Sequence, residues 1–208
     1  WTSVFPPFLG LVEYEWGVSY GYGLAVALTA ISTLLGTTTP YPNPILPYQA
    51  AALIFFGLRL CSFLFVRTRL SQRIQDLQRE IEGRATSNGN RLNRLPFILS
   101  CGFLYYGLTC PLILTSKLSK AAVSPVALLT MKLLVVGQWA GYLTAAVGDF
   151  VKTYTKQKNN DEKFLVTSGP FSLLRHPNYT GEIVAWTCNA LCGSVAGLYI
   201  LRNARTFS

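Results

Sequence analysis

The sequence has few charged residues and almost no histidine. Charged side chains make up 13% of the 208 residues and apolar ones 50%, whereas roughly a quarter of the residues in soluble domains are charged. This composition excludes an ordinary soluble domain and a disordered chain. With one histidine and five cysteines, none of them in a CxxC pair, no metal site is expected. The cysteines lie in apolar stretches and are interpreted as small packing residues.

Long apolar runs account for most of the chain. Five of them come close to the ~20 residues that a helix needs to cross a bilayer, and none has the polar face of a soluble helix. The sequence therefore predicts an all-α, multi-pass integral membrane protein, with about five transmembrane helices in a single membrane domain over 1–208. The predicted spans are 17–35, 48–66, 96–115, 125–147 and 183–201.

The basic residues are concentrated in two connections, between the second and third spans and between the fourth and fifth. With five spans these connections share one side, which the positive-inside rule makes cytoplasmic, or stromal or matrix-facing in an organelle. The N-terminus is expected on this side, where Pro6 and Pro7 should keep the first residues from forming a helix. The net charge of +9 is interpreted as orientation signal and contact with membrane lipids, and no nucleic-acid partner is expected.

The first basic connection has a helical pattern of its own. Over Leu70–Arg84, apolar residues recur every three or four positions among charged ones. This spacing predicts one amphipathic helix on the cytosolic side, which either continues the second span or lies on the headgroups. Asp76 and Glu80 are expected to pair with arginines of the same helix.

Polar residues that suit chemistry crowd into the second basic connection, which we expect to be a loop over 149–182. Its last eight residues, Arg175 to Glu182, read Arg-His-Pro-Asn-Tyr-Thr-Gly-Glu. At a membrane boundary such a cluster is costly unless its members pair with each other or with a ligand. Two interpretations stay open: a used site, or an ion pair between Arg175 and Glu182 with Asn178 and Tyr179 capping the fifth span.

These eight residues resemble the RHPNYxGE signature of membrane reductases related to steroid 5-alpha reductase. The stretches Gly57–Arg67 and Gly148–Lys152 also resemble features of that group, so the likeness covers about residues 50 to 190. A weaker likeness, carried by Leu165–Gly169 and the shorter RHPxYxG pattern, connects the chain to isoprenylcysteine carboxyl methyltransferase. Arg59, in the middle of the second span, is interpreted as a snorkelling or paired residue, or as a site group.

The resemblance to the reductases implies NADPH bound on the cytoplasmic side and reduction of a C=C bond in a lipid- or steroid-like substrate from the bilayer. The implied cofactor-binding residues are Asp149, Lys152, Lys156, Arg175, His176, Asn178 and Gly181, and the implied catalytic residues are Tyr179 and Glu182. The cations suit phosphate oxygens, and an amide side chain suits the nicotinamide amide. The glycine leaves room for the cofactor, and the tyrosine could donate a hydrogen bond to a substrate carbonyl.

Two other functions are compatible with the same residues. The reductases normally continue beyond the motif, whereas Ser208 lies 26 residues after Glu182. One alternative is therefore a non-catalytic, reductase-like subunit of a larger membrane complex, organellar or photosynthetic, without a cofactor and with protein partners. The other is a methyltransferase that uses S-adenosylmethionine on a lipid or prenyl-cysteine. The membrane is expected to be that of the endoplasmic reticulum, a plastid or a mitochondrion.

Overall fold

The computed structural model describes residues 2–38, 43–87, 90–119, 123–159, 161 and 164–205. Helices make up most of these ranges, and the segments between them are short. In chain order the α-helices are α1 Tyr14–Val18, α2 Tyr20–Leu35, α3 Leu46–Leu70, α4 Gln72–Ser87, α5 Leu95–Lys117, α6 Pro125–Lys158 and α7 Pro177–Arg205. Short 3-10 helices occupy Pro6–Leu11, Arg91–Arg94 and Gly169–Ser172.

Five helical segments are long and apolar enough to cross a membrane, which confirms the predicted all-α, multi-pass architecture. They are Tyr14–Leu35, Leu46–Leu70, Arg91–Lys117, Pro125–Lys158 and Pro177–Asn203. Each extends beyond the apolar run from which it was predicted. The difference arises because hydropathy marks only the part inside hydrocarbon, while a helix continues as long as its backbone hydrogen bonds do.

The segment expected as a loop over 149–182 is mostly helical. Its first ten residues continue α6 to Lys158, and its last six form the first turns of α7 from Pro177. Only the residues between these helices are irregular, apart from the 3-10 helix at Gly169–Ser172. The reason is local: proline at the first position of a helix has the required backbone angle and needs no hydrogen bond from its nitrogen. The RHPNYxGE motif therefore starts a helix, and its side chains take helical spacing.

The amphipathic helix forms as α4 but does not continue the second span. Ser71 has extended backbone angles of −124° and 110° and separates α3 from α4. The expected pairs are present on the exposed face: Arg79 Nη1 lies 3.3 Å from Asp76 Oδ1, and Arg84 pairs with Glu80. The break at Ser71 turns α4 away from the direction of the span.

The N-terminal residues correct two expectations. Pro6 and Pro7 begin a 3-10 helix, because proline is accepted in the first turn of a helix. Thr2 does not lie on the basic side, since its Oγ1 is 3.1 Å from Thr29 Oγ1 and 3.2 Å from Ser32 Oγ, in the far half of α2. Residues 2–12 thus run back along α2 and pack against α2 and α5, and these contacts partly cover backbone that is not α-helical.

Helices α6 and α7 cross at two small residues. A Cβ added to Gly181 would lie 2.4 Å from the carbonyl oxygen of Gly141 and 2.7 Å from the amide nitrogen of Ala145. Such close crossings are typical of membrane helices, which pack through small residues. The crossing fixes the start of α7 against the second half of α6, where the polar residues of both helices meet.

Candidate active site

A buried arginine from α3 joins two carboxylates from α6 and α7. Arg59 Nη1 donates a hydrogen bond to Asp149 Oδ2, and Nη2 donates to Glu182 Oε1 at 3.0 Å. The side chains of Arg59 and Asp149 are 10% and 11% exposed. The arginine carbon Cζ also lies 5.5 Å from the centre of the Phe56 ring. These residues, called the Arg59 cluster below, lie within segments long enough to span the membrane.

The Arg59 cluster continues into the motif through Asn178. Its Nδ2 donates a hydrogen bond to Asp149 Oδ1 at 3.1 Å. The start of α7 reaches Asp149 because residue 148 is glycine: a Cβ there would lie 2.9 Å from the Asn178 amide nitrogen. One carboxylate therefore binds both the arginine of α3 and the amide of α7.

Two carboxylates share one guanidinium in this cluster, so its formal charge is negative when both are ionised. Burying ions is expensive, and a paired arrangement such as this is strongly disrupted when one partner is removed. Because the two carboxylates come from different helices, Arg59 ties α3 to both α6 and α7. The cluster therefore joins these three helices at the end of the bundle where the two basic connections lie.

A cleft of about 510 Å³ lies beside the cluster, bounded by α3, α4, α6 and α7. Asp149 and Asn178 belong to its lining and connect it to the buried arginine. Four cations also line it: Arg67, Arg73, Lys152 and Lys156. Apolar side chains from the end of α3 and the first half of α4 line it as well: Phe63, Leu70, Ile74 and Leu77. The cleft thus combines cationic and apolar groups with the carboxylates of Asp149 and Asp161.

Arg67 has a hydrogen-bond donor without a partner among the described residues. Its Cζ lies 5.6 Å from the centre of the Phe63 ring. Its Nε is buried, and among the described residues it has no hydrogen-bond partner. A buried donor without a partner is costly, and a ligand in the cleft would reach this atom only if the side chain moved. The fit to a phosphate-bearing ligand comes instead from the four cations that line the cleft.

Five of the nine residues implied by the motif line this cleft: Asp149, Lys152, Lys156, Asn178 and Tyr179. The Tyr179 side chain is 63% exposed and lies at the rim. The His176 ring meets it at 81°, with 6.1 Å between ring centres.

The other four implied residues lie elsewhere. Arg175 and His176 are exposed and do not belong to the cleft lining. Gly181 is buried in the crossing of α6 and α7, where it makes room for a helix. Glu182 is bonded to Arg59, and this contact takes the place of the ion pair with Arg175 that the sequence left open.

Three arginines complete the site beyond the residues implied by the motif: Arg59, Arg67 and Arg73. The available signal for Arg59 was its charge in the middle of an apolar span, since such residues need a buried partner or a ligand. Arg73 has no comparable signal. It reaches the cleft because the chain turns at Ser71, and the amphipathic pattern does not predict that turn.

The chain matches one family model, described as a protein of unknown function (DUF1295), over residues 10–202. The comparisons with curated proteins and with solved structures found no match.

Proposed function

We propose that the protein is an NADPH-dependent membrane reductase. The chain belongs to DUF1295, a family of proteins of unknown function, so the activity is inferred from the chain's own site. Its substrate class is a lipid- or steroid-like molecule with a reducible C=C bond. The observation that carries the proposal is the cleft beside the Arg59 cluster, in which four cations face the Asp149–Asn178 pair. The motif resemblance supports the same function.

The cleft suits a phosphorylated dinucleotide in charge and size. Arg67, Arg73, Lys152 and Lys156 come from two sides of the cleft and supply donors for a pyrophosphate and a further phosphate. The volume of about 510 Å³ lies within the range of small-molecule sites. The exposed Arg175 has no part in this assignment.

The side chains around the bound nicotinamide ring would hold it in a fixed orientation. When bound, NADPH provides a hydride. Asn178 offers a donor and an acceptor for the ring amide, and Asp149 holds Asn178 in place. Arg59 holds Asp149 in place through an ion pair, and Glu182 binds the same arginine. Tyr179, at the rim, donates a hydrogen bond to an oxygen of a substrate that arrives from the bilayer.

S-adenosylmethionine fits the cleft less well than NADPH does. It carries a positive sulfonium and no phosphate, whereas four of the residues that line the cleft are cationic. Like charges in one site oppose binding. The same charges favour NADPH over NADH, which lacks the additional phosphate.

The proposal is tested by ligand binding to the purified chain in lipid nanodiscs. NADPH should bind more tightly than NADH, and Lys152→Gln and Arg67→Gln should each weaken NADPH binding by about tenfold, the cost of one hydrogen bond to a charged group. Arg79→Gln is the matched control, because Arg79 lies on the exposed face of α4 and pairs with Asp76. This control should bind NADPH like the unmodified chain.

Three results would overturn the proposal. Binding of S-adenosylmethionine but not of NADPH would favour a methyltransferase. If neither ligand binds while the chain remains folded, the non-catalytic subunit becomes the better interpretation. Equal losses in Lys152→Gln and Arg79→Gln would show that the effect is general electrostatics and not a site.

A further inference from the structure

A second pocket lies at the end of the bundle opposite the Arg59 cluster. It has a volume of about 260 Å³ and is lined by residues of α2 and α5 and by the N-terminal residues. Helix α2 ends at Leu35 and α5 at Lys117, and neither end leads into one of the two basic connections. The pocket is therefore separate from the proposed cofactor cleft, and it is called the hydroxyl pocket below.

Hydroxyl groups dominate the lining of this pocket. Nine of its twelve lining residues are serine, threonine or tyrosine. Three of them, Ser3, Thr29 and Ser116, are buried. Among the described residues that line the pocket none is acidic, and Lys117 is the one cation. The lining thus offers hydrogen bonds from neutral groups and a single positive charge.

Four of these hydroxyls have already donated their protons. Ser32, Thr33, Thr37 and Ser116 donate to backbone carbonyls of the preceding turn at 2.7 to 3.0 Å, as serine and threonine in helices often do. A hydroxyl has one proton and two lone pairs, so each of the four can only accept a further hydrogen bond while these bonds are kept. The last carbonyls of α2 and α5 add partial negative charge at the same end. The pocket therefore suits a ligand that donates hydrogen bonds.

The pocket has the orientation of a membrane lipid. Thr37 and Ser116 lie at the ends of α2 and α5, beside the exposed Lys117, which is the headgroup level of helices that cross a bilayer. The lining continues along α5 to Tyr106, eleven residues before Lys117 or about 16 Å along the helix. The accepting hydroxyls and the cation are therefore at the level of a headgroup, and the deeper part follows the direction of the acyl chains.

Charge and donors select the kind of headgroup. Lys117 matches the single negative charge of a phosphodiester. Choline has no N–H or O–H group to donate, and the carboxylate of a serine headgroup would face acceptors. Ethanolamine would bring a cation for which the described lining has no carboxylate. The neutral hydroxyls of a glycerol headgroup meet none of these obstacles, and about 260 Å³, below the roughly 300–1,000 Å³ of drug-sized sites, suits a headgroup of that size.

We propose that the hydroxyl pocket binds the glycerol headgroup of a phospholipid of the phosphatidylglycerol type, in the leaflet away from the basic connections. Lys117 binds the phosphate, and Thr33 and Thr37 accept hydrogen bonds from the hydroxyls of the headgroup. The inference does not depend on NADPH binding, because the pocket and the cofactor cleft share no lining residue.

Native mass spectrometry of the full chain in detergent tests the proposal with phosphatidylglycerol and phosphatidylserine of the same acyl chains. Both lipids have one net negative charge, so both are attracted equally to the basic end of the bundle. Phosphatidylglycerol should nevertheless bind about tenfold more tightly, the effect of two hydrogen bonds. Equal binding would overturn the proposal, and so would tighter binding of phosphatidylethanolamine, since the pocket would then hold a cation.

A soluble ligand separates a lipid site from a site for a free polyol phosphate. Glycerophosphoglycerol has the same headgroup as phosphatidylglycerol without the acyl chains. The proposal predicts that it displaces the lipid only at a large excess. Displacement at equal concentration would overturn the assignment to a lipid.

Variants locate the bound headgroup. Thr33→Val and Thr37→Val together keep the side-chain shape and remove two acceptors, so the preference for phosphatidylglycerol over phosphatidylserine should disappear. Thr130→Val is the matched control, because Thr130 Oγ1 donates to the Val126 carbonyl at 3.0 Å in the same way but lies on α6, outside the pocket lining. Loss of the preference in this control, or its persistence in the double variant, would overturn the assignment to this pocket.

Lys117→Gln, at an exposed position, gives a second test if the double variant does not fold. It should weaken phosphatidylglycerol binding about tenfold, the effect of one hydrogen bond to a charged group. Unchanged affinity in Lys117→Gln would contradict the proposal.

Discussion

Two largely buried arginines near the basic end of the bundle show how the same residue type serves different purposes. Arg59 meets two carboxylates, and one of them lines the cleft. Arg94 meets one carboxylate, with its Nη2 donating to Glu82 Oε1 at 3.0 Å and its Nη1 to the Gly10 carbonyl at 3.3 Å. When both of its carboxylates are ionised, the Arg59 cluster has an excess of negative charge, and it lies beside a cleft lined by four cations. Arg94 instead binds one carboxylate and one backbone carbonyl.

The contacts around Arg94 show that it joins parts of the fold. Glu82 Oε2 accepts a hydrogen bond from the Tyr14 backbone nitrogen at 2.8 Å, and Arg94 Cζ lies 5.7 Å from the centre of the Tyr14 ring. The arginine therefore holds α4 and the N-terminal residues against the start of α5. The difference teaches that burial of an arginine in this fold does not by itself mark a site. A cleft of about 390 Å³ also adjoins Arg94, so the two arginines differ in the number of carboxylates that they bind: two for Arg59 and one for Arg94.

The largest effect is expected for Arg59→Leu. It leaves Asp149 and Glu182 in the interior without a cation, so the free energy of unfolding should fall by about 3–5 kcal/mol, as for other broken buried pairs. Reversible denaturation in detergent measures this. Adding Asp149→Asn and Glu182→Gln to the same chain should restore most of the loss. A loss below about 1 kcal/mol, the range of exposed pairs, would mean that the cluster is solvated and that the comparison fails.

Arg94→Leu should cost less, because Glu82 is partly exposed and keeps its bond to the Tyr14 nitrogen. We expect a loss of about 2–3 kcal/mol, which corresponds to hydrogen bonds with a charged partner. Hydrogen exchange should become faster in residues 2–13, while NADPH affinity stays unchanged. If NADPH affinity fell while hydrogen exchange in residues 2–13 stayed slow, Arg94 would belong to the cofactor site.

Gly181→Ala separates packing from ligand binding at the start of α7. Its added methyl would meet the backbone of Gly141 and Ala145, so overpacking should lower stability by roughly 1–3 kcal/mol. Gly107→Ala, in α5, is the control, because a Cβ there has no atom within 4 Å. Thermal denaturation of the two variants gives the comparison. If Gly181→Ala kept full stability and lost only NADPH affinity, the glycine would serve the cofactor instead.

The smallest effect is expected for Arg79→Ala. The side chains of Arg79 and Asp76 are 77% and 71% exposed, and exposed helix pairs contribute only about 0.3–0.5 kcal/mol. The variant should unfold within that margin of the unmodified chain, and the difference should vanish at high salt. A loss as large as that of Arg94→Leu would show that α4 holds the fold through its outer face.

The sequence predicted the membrane spans well because apolar length alone determines them. It also placed α4, whose pattern of apolar residues is local. It did not predict the path of residues 2–12, because a strip with two prolines carries no periodic signal and its position depends on contacts with α2 and α5. The loop that contains the motif was predicted too long, since Pro177 starts a helix.

The site was only partly predictable for a related reason. Asp149 and Asn178 were identified from the resemblance, and the structure brings them together through Gly148. Gly181 belongs to the same motif but lies outside the cleft lining, because successive residues at the start of α7 point in different directions. Arg175 precedes α7 and also lies outside the lining. Arg67 ends the stretch Gly57–Arg67 that resembles the reductases, whereas Arg73 reaches the cleft only through the turn at Ser71. A motif predicts which segment lies near the site, whereas the helix geometry determines which of its side chains face the cleft.

Hydrogen exchange of the full chain with and without NADPH tests the central claim most directly. The account predicts that saturating NADPH slows exchange in the end of α3, the first half of α4 and the second half of α6, where the cleft residues lie. The segment 169–175, which contains exposed Arg175, should change little. Protection confined to 169–175, or none at concentrations where NADPH binds, would contradict the assignment of the cleft as the cofactor site.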